Sequence, residues 1–191
     1  MNSQTSNHLP FDELEREFAA LTVPSDLGRV ELIVARNDDG SRETPSRVTV
    51  TPGNGIPGDR WARGASARIE AEVTLMRADV ARLIGNGQPL TVPGDNLLVN
   101  LDLSAANLPA GSRLRIGTAL LEVTPLPHTG CVKFTARFGQ GALKLTADPR
   151  FRELRLRGIH AKVVESGEIA PGDSIEVLER PRQDAAHTST P

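Results

Sequence analysis

The stretch Arg113-Leu114-Arg115-Ile116-Gly117-Thr118-Ala119-Leu120-Leu121-Glu122-Val123-Thr124 decides how the chain is read. It holds two short runs rich in Leu, Ile, Val and Thr, Arg113 to Ile116 and Ala119 to Thr124, broken at Gly117. Short runs of this kind, bounded by Gly or Pro, form strands. The same signal recurs at Val30 to Ala35, Arg47 to Thr51, Ala71 to Met76, Asn96 to Leu101, Ile159 to Glu165 and Ser174 to Leu178. Many short strands with few helices predict a mainly β chain, a closed or nearly closed barrel with peripheral helices.

The helices are few. Phe11, Leu14, Phe18 and Leu21 recur at spacings of three and four, which predicts a helix from Pro10 to Leu21 packed on the outside of the domain. A second is expected from Ala78 to Ile84, ended by Gly85-Asn86-Gly87. A third is expected to start at Asp148-Pro149, a capping residue and a Pro at the first helical position, and to run to about Leu156. The tripeptide Pro-Gly-Asp occurs at residues 57–59, 93–95 and 171–173, and each copy reads as a tight turn with Gly at positive φ. Residues 1–8 and 180–191 are polar and expected to be disordered. The expected organisation is a tail and helix over 1–27, a barrel over 28–179 and a tail over 180–191.

A length of 191 residues fits one domain with a substantial core. The formal net charge of −2 provides no global field for nucleic acid or an anionic membrane. With 3% aromatic residues and no Tyr, a base-stacking nucleic-acid surface is not expected. No apolar run approaches a membrane span, and residues 1–7 lack the order of a signal peptide. The single cysteine excludes an internal disulfide framework and is compatible with a reducing compartment. The expected location is the cytoplasm.

That cysteine lies in Pro127-His128-Thr129-Gly130-Cys131-Val132-Lys133-Phe134. Cys131, Phe134 and Phe138 share one helical face, and Thr129 is placed to cap a short helix. A thiol in a first helical turn feels free N–H groups and the positive end of the dipole. Lys133, Arg137 or His128 would add to this, favouring the thiolate that ligates a soft metal or attacks sulfur. A lone cysteine is also commonly a small buried hydrophobe, and the local pattern leaves both readings open. Four histidines, two of them (His8 and His187) in expected tails, make a zinc site a poor fit. No protease signature surrounds Cys131, although His128 and His160 are candidate bases. Gly139-Gln140-Gly141 is neither a P-loop nor a dinucleotide fingerprint.

Several segments, taken in order, resemble the MOSC family, the domain found at the C-terminus of molybdenum-cofactor sulfurases. They are Gly58-Asp59-Arg60-Trp61, Gly94-Asp95-Asn96-Leu97, the stretch from Gly111 to Gly117, the Cys131 segment, Gly158 to Val163, and Gly167 to Asp173. Two departures are Asp95, where the family has Glu, and Ser112, where it has Asp. The resemblance spans about Gly28 to Glu179 and implies a MOSC-type β-barrel with a few peripheral helices. It also implies a cysteine that coordinates molybdenum or carries sulfur.

A molybdopterin cofactor needs a soft ligand, hydrogen bonds for the pterin and cations for the phosphate. The resemblance makes Cys131 the molybdenum or sulfur ligand, with His128 as a proton donor. Arg60 is the first candidate for the phosphate. Asp59 is expected to fix the turn or orient Arg60, and Asn96 to meet the pterin edge or pin a loop. Lys133, Arg137 and His160 complete the candidate cofactor site, with solvated or structural roles as the alternatives. The activity implied is reduction of small N-hydroxylated compounds, with electrons from an external donor protein. The alternative is a sulfur carrier or cofactor-delivery protein with a sulfur-donor partner. No pyridoxal-phosphate domain and no ferredoxin domain are expected in this chain.

Overall fold

A computed structural model describes residues 8–64 and 67–181; of the tails expected at 1–8 and 180–191, residues 1–7 and 182–191 lie outside them. In chain order the elements are helix α1 (Phe11–Phe18) and strands β1 (Leu27–Ile33), β2 (Ala35–Arg36), β3 (Arg42–Glu43), β4 (Val48–Val50) and β5 (Val73–Arg77). Helix α2 (Ala78–Gly85) and strands β6 (Leu97–Asn100), β7 (Arg113–Ile116) and β8 (Ala119–Val123) follow. Helix α3 (Val132–Ala147) and strands β9 (Ile159–Glu165), β10 (Gly167–Ile169) and β11 (Ser174–Glu179) complete the chain.

Strands β1, β11, β7, β8, β9, β5 and β6 bond in that order, and β6 pairs back onto β1 to close the barrel. Every barrel pair is antiparallel except β5 with β6. Parallel neighbours need a crossover connection, and α2 lies in it. The hairpin of β7 and β8 pairs Arg113 with Glu122 and Leu114 with Leu121. The fold is therefore the mainly β barrel expected from the sequence.

Side-chain alternation feeds two cores from one wall. Leu97 and Val99 of β6 join Val73, Leu75, Leu114, Leu121 and Ile159 inside the barrel. Leu98, on the opposite face, packs with Met76, Val80, Ile84, Phe134 and Phe138 beneath the helices. Strand β5 is buried along its whole length because both of its faces are covered.

The Pro-Gly-Asp turns form as expected, with φ of 80° at Gly58, 80° at Gly94 and 92° at Gly172. Helix α2 ends as expected at Asn86, which is left-handed. Helix α1 is shorter than its periodicity suggests. Past Phe18 the chain tightens into i to i+3 bonds, Ala20 N–H to Glu17 and Leu21 N–H to Phe18. The segment after Asp148 is a 3-10 helix, Pro149–Leu154, rather than an α-helix to Leu156. Asp148 does cap it, accepting from the Arg150 N–H.

Helix α3 is longer than the short helix expected, and Gly139 breaks it at φ 81°. A Cβ at Gly139 would meet the His8 ring at 2.8 Å. His8, expected in a disordered tail, instead packs there with Nε2 3.0 Å from the Arg137 carbonyl. Strands β2 and β3 have two residues each, too few to carry a hydrophobic pattern, and were not foreseen as a separate ribbon; β10 falls in the segment from Gly167 that resembles the family's closing strands. Among the described residues no helix is long and apolar enough to cross a membrane.

Candidate functional site

Cys131 is itself the N-cap of α3, in extended conformation at φ −130° and ψ 178°; Thr129, the expected cap, lies in the preceding loop. That loop lies close against α3: a Cβ at Gly130 would sit 2.8 Å from Leu143 Cδ1, so the Leu143 side chain would have to shift. The thiol is exposed. Its pKa is held below the ordinary thiol value chiefly by the Phe134 backbone N–H, against a smaller burial effect. The Lys133 N–H and the charges of Arg157 and Arg137 act in the same direction. The helix start therefore favours thiolate, as the sequence suggested, although the Cys131 side chain makes no capping hydrogen bond of normal geometry.

Cys131 stands at a cavity of about 150 Å³ walled by β2, β3, the Pro93-Gly94-Asp95 turn, Arg60 and the start of α3. Arg36, Arg42, Arg60, Lys133, Arg137 and Arg157 line it, with Asp95 as the carboxylate among its lining residues. Arg36 is neutralised by Asp59 through two bonds of 2.8 Å, and Arg157 by Asp95 at 2.7 Å. Among the described residues Arg42, Arg60, Lys133 and Arg137 have no carboxylate within ion-pair distance. Arg42 Nε is buried without a hydrogen-bond partner. Burial, and then the neighbouring charges of Arg137, Arg60 and Arg36, push the Arg42 pKa down. Gly94 turns the chain at φ 80° beside these cations, a backbone conformation that favours glycine; a Cβ there would lie in ordinary contact, 3.4 Å from Arg42 Nε and 3.8 Å from Arg137 Nη1.

Asp59 and Asn96 hold the wall rather than face the space. Asp59 accepts from the Arg36 guanidinium and from the Trp61 N–H at 2.8 Å, so the cation it orients is Arg36, not Arg60. Burial opposes its ionisation, but Arg36 outweighs this and keeps the carboxyl below the usual range. Asn96 accepts from Thr74 N–H and Oγ1, and donates to Val34 O and Asp59 Oδ2. With both ends of the amide engaged, it pins β5, β6 and the Asp59 turn together.

His128 lines the cavity but is largely buried, and its pKa is pushed down to about 3 by burial. Asp95 opposes this shift, while Arg157, His160 and Arg36 add to it. Nδ1 lies 3.4 Å from Asp95 Oδ1 without hydrogen-bond geometry. His160 is outside the cavity, its ring 4.4 Å from that of His128 and its Nδ1 3.2 Å from the Leu126 carbonyl. Its pKa is also lowered by burial. Both rings are neutral at neutral pH, so His128 holds no imidazolium proton to give.

Residues 70–176, from the turn before β5 into β11, match the model of the MOSC domain. The chain belongs to the MOSC domain family. None of the curated proteins matches it. Among solved structures it is similar to the YuaD protein from Bacillus subtilis, at 18% identity and a TM-score of 0.58, covering 79% of this chain and 95% of that one. It is also similar to YiiM from Escherichia coli, at 18% identity and a TM-score of 0.54, covering 80% and 71%. YiiM from Geobacillus stearothermophilus gives 18% and 0.51, covering 80% and 76%. At such identities these likenesses speak to the MOSC fold alone.

Arg36, Arg42 and Arg60 lie outside the matched MOSC segment, yet they form one wall of its cysteine cavity. Arg36, Arg42 and Arg157 were not singled out in the sequence. Arginines are scattered along this chain, and no local spacing separates these three from the rest. Asp95 was visible as a member of the Pro-Gly-Asp turn and of the Gly-Asp-Asn-Leu motif, not as a partner for a cavity cation.

Proposed function

We propose that this MOSC protein binds the molybdenum cofactor, with Cys131 as the molybdenum ligand, and reduces small N-hydroxylated compounds with electrons from an external donor protein. The observation that carries this reading is the lowered Cys131 thiol beside four cations without carboxylate partners. A cofactor with a soft metal and a phosphate matches both halves of that arrangement. Among the described residues no three His, Cys, Asp or Glu side chains converge to hold an ion. A single thiol suits a metal that arrives with most of its ligands already on the cofactor. When bound, the cofactor supplies a two-electron redox centre.

The roles of the chain's own residues follow from their positions. Cys131 offers thiolate at the cavity mouth. Arg42, Arg60, Lys133 and Arg137 hold the phosphate and anionic edge. Asp59 and Asn96 keep Arg36 and the turn in place, and Asp95 does the same for Arg157. His128, being neutral, shapes the wall, and protons come from the solvent that reaches the exposed thiol.

A sulfur carrier is the second reading, favoured by the exposure of Cys131 and of Val132 beside it, which is 87% exposed. There the Cys131 thiolate attacks the terminal sulfur of a donor persulfide, releasing the donor thiolate. Molybdenum and pterin analysis of freshly purified wild type beside Cys131→Ser tests both. Molybdenum near one per chain, lost in the variant, supports ligation. A persulfide mass on Cys131 without molybdenum supports sulfur transfer and overturns the first reading.

A further inference from the structure

A second cavity, of about 540 Å³, is bounded by residues 124–130, by α3 and by residues 152–159. It shares His128 and Arg157 with the Cys131 cavity but does not contain the cysteine. Its volume falls within the roughly 300–1,000 Å³ typical of small-molecule sites. Leu126, Leu143, Leu156 and Ile159 give it an apolar lining. Apolar lining alone would select nothing; the charges add the selectivity.

Arg152, Arg155 and Arg157 line the cavity against one carboxylate, Glu153. Asp95 already neutralises Arg157, so Arg152 and Arg155 face Glu153 with a surplus of positive charge. Among the described residues Arg152 has no ion pair. Arg155 is half-buried, donates from Nη1 to the Leu108 carbonyl at 2.7 Å and has no ion pair among the described residues. Arg157 Nε is buried without a hydrogen-bond partner. Arg152 and Arg155, held at an apolar cavity without ion-pair partners among the described residues, match a ligand that brings an anion.

We propose that this cavity binds a small organic anion with an apolar body, of the type of a medium-chain carboxylate. The apolar body lies against Leu126, Leu143, Leu156 and Ile159, and the anionic head meets Arg152 and Arg155. This assignment is independent of what Cys131 carries.

The test is calorimetric titration of the full chain with octanoate, with 1-octanol as the neutral counterpart and inorganic phosphate as competitor. Octanoate is expected to bind at a single saturable site, more tightly than octanol, and phosphate is expected not to displace it. Arg152→Glu, at an exposed position, is expected to weaken octanoate binding about tenfold. Leu126→Trp, which fills the cavity, is expected to abolish it. Equal affinity for octanol, displacement by phosphate, unchanged affinity in both variants, or no octanoate binding at millimolar concentration would each overturn the assignment.

Discussion

Arg36 and Arg42 stand directly opposite each other in the two-residue ladder of β2 and β3. Like charges so placed destabilise a ribbon. Asp59 neutralises Arg36, but Arg42 keeps a buried Nε without a partner. The ribbon is thus held in an arrangement that an anion would relieve. Phosphate or sulfate is expected to raise the melting temperature beyond the effect of sodium chloride at equal ionic strength, with a smaller rise in Arg42→Gln. Without added anion, Arg42→Gln is expected to change stability by no more than about 1 kcal/mol. Equal shifts with all three salts would show that the cluster selects no oxyanion.

Cys131 is expected to alkylate faster than a free cysteine at neutral pH, because its pKa lies below the ordinary value. Arg137→Gln removes one of the charges responsible and is expected to move the alkylation midpoint upward. Iodoacetamide kinetics across pH 6–10 would check this, and an unmoved midpoint would assign the shift to the backbone N–H groups and Arg157.

Asp95 is a fully buried carboxylate held below the usual range: burial opposes its ionisation, but the charge and the hydrogen bond of Arg157 outweigh it. Asp95→Asn leaves Arg157 buried beside a neutral group. Breaking a buried pair in this way costs about 3–5 kcal/mol. Urea unfolding is the measurement, and a loss under about 1 kcal/mol would mean that water or another group replaces the pairing.

His128 should make the fold sensitive to mild acid. Its folded pKa, about 3, lies below the unfolded value near 6.5. Between those values the unfolded chain binds the proton and the folded chain does not, so stability falls as pH falls from about 6.5 toward 3. The slope from this group is roughly 1 kcal/mol per pH unit. His128→Gln is expected to flatten the stability profile between pH 6 and 4.5, above the range where Asp59 and Asp95 take up protons. An identical profile would place the acid sensitivity elsewhere.

Phe138 is almost fully buried, its ring centroid 5.0 Å from that of Phe134 in the core beneath the helices. Phe138→Ala is expected to cost about 3–5 kcal/mol. Because α3 carries Cys131 at its start, the variant is also expected to broaden the range of thiol reactivity. Thermal unfolding and alkylation kinetics on the same sample would check both.

The sequence by itself determined the barrel strands, the turns and the position of the cysteine. Short apolar runs such as Ala119 to Val123, bounded by Gly or Pro, and turns such as Pro93-Gly94-Asp95 depend on neighbours in the chain, so local chemistry specifies them. The helix start at Cys131 was legible for the same reason, although the capping residue was misplaced by two positions. Only the tertiary structure decided which cations face the thiol. Arg36, Arg42, Arg60, Arg137 and Arg157 come from separate segments, brought together when β6 closes against β1 and the β2–β3 ribbon folds over the Asp95 turn. It also decided that His128 is neutral and Asn96 committed to the fold, since burial and partners belong to the packed chain and leave no mark on residue order.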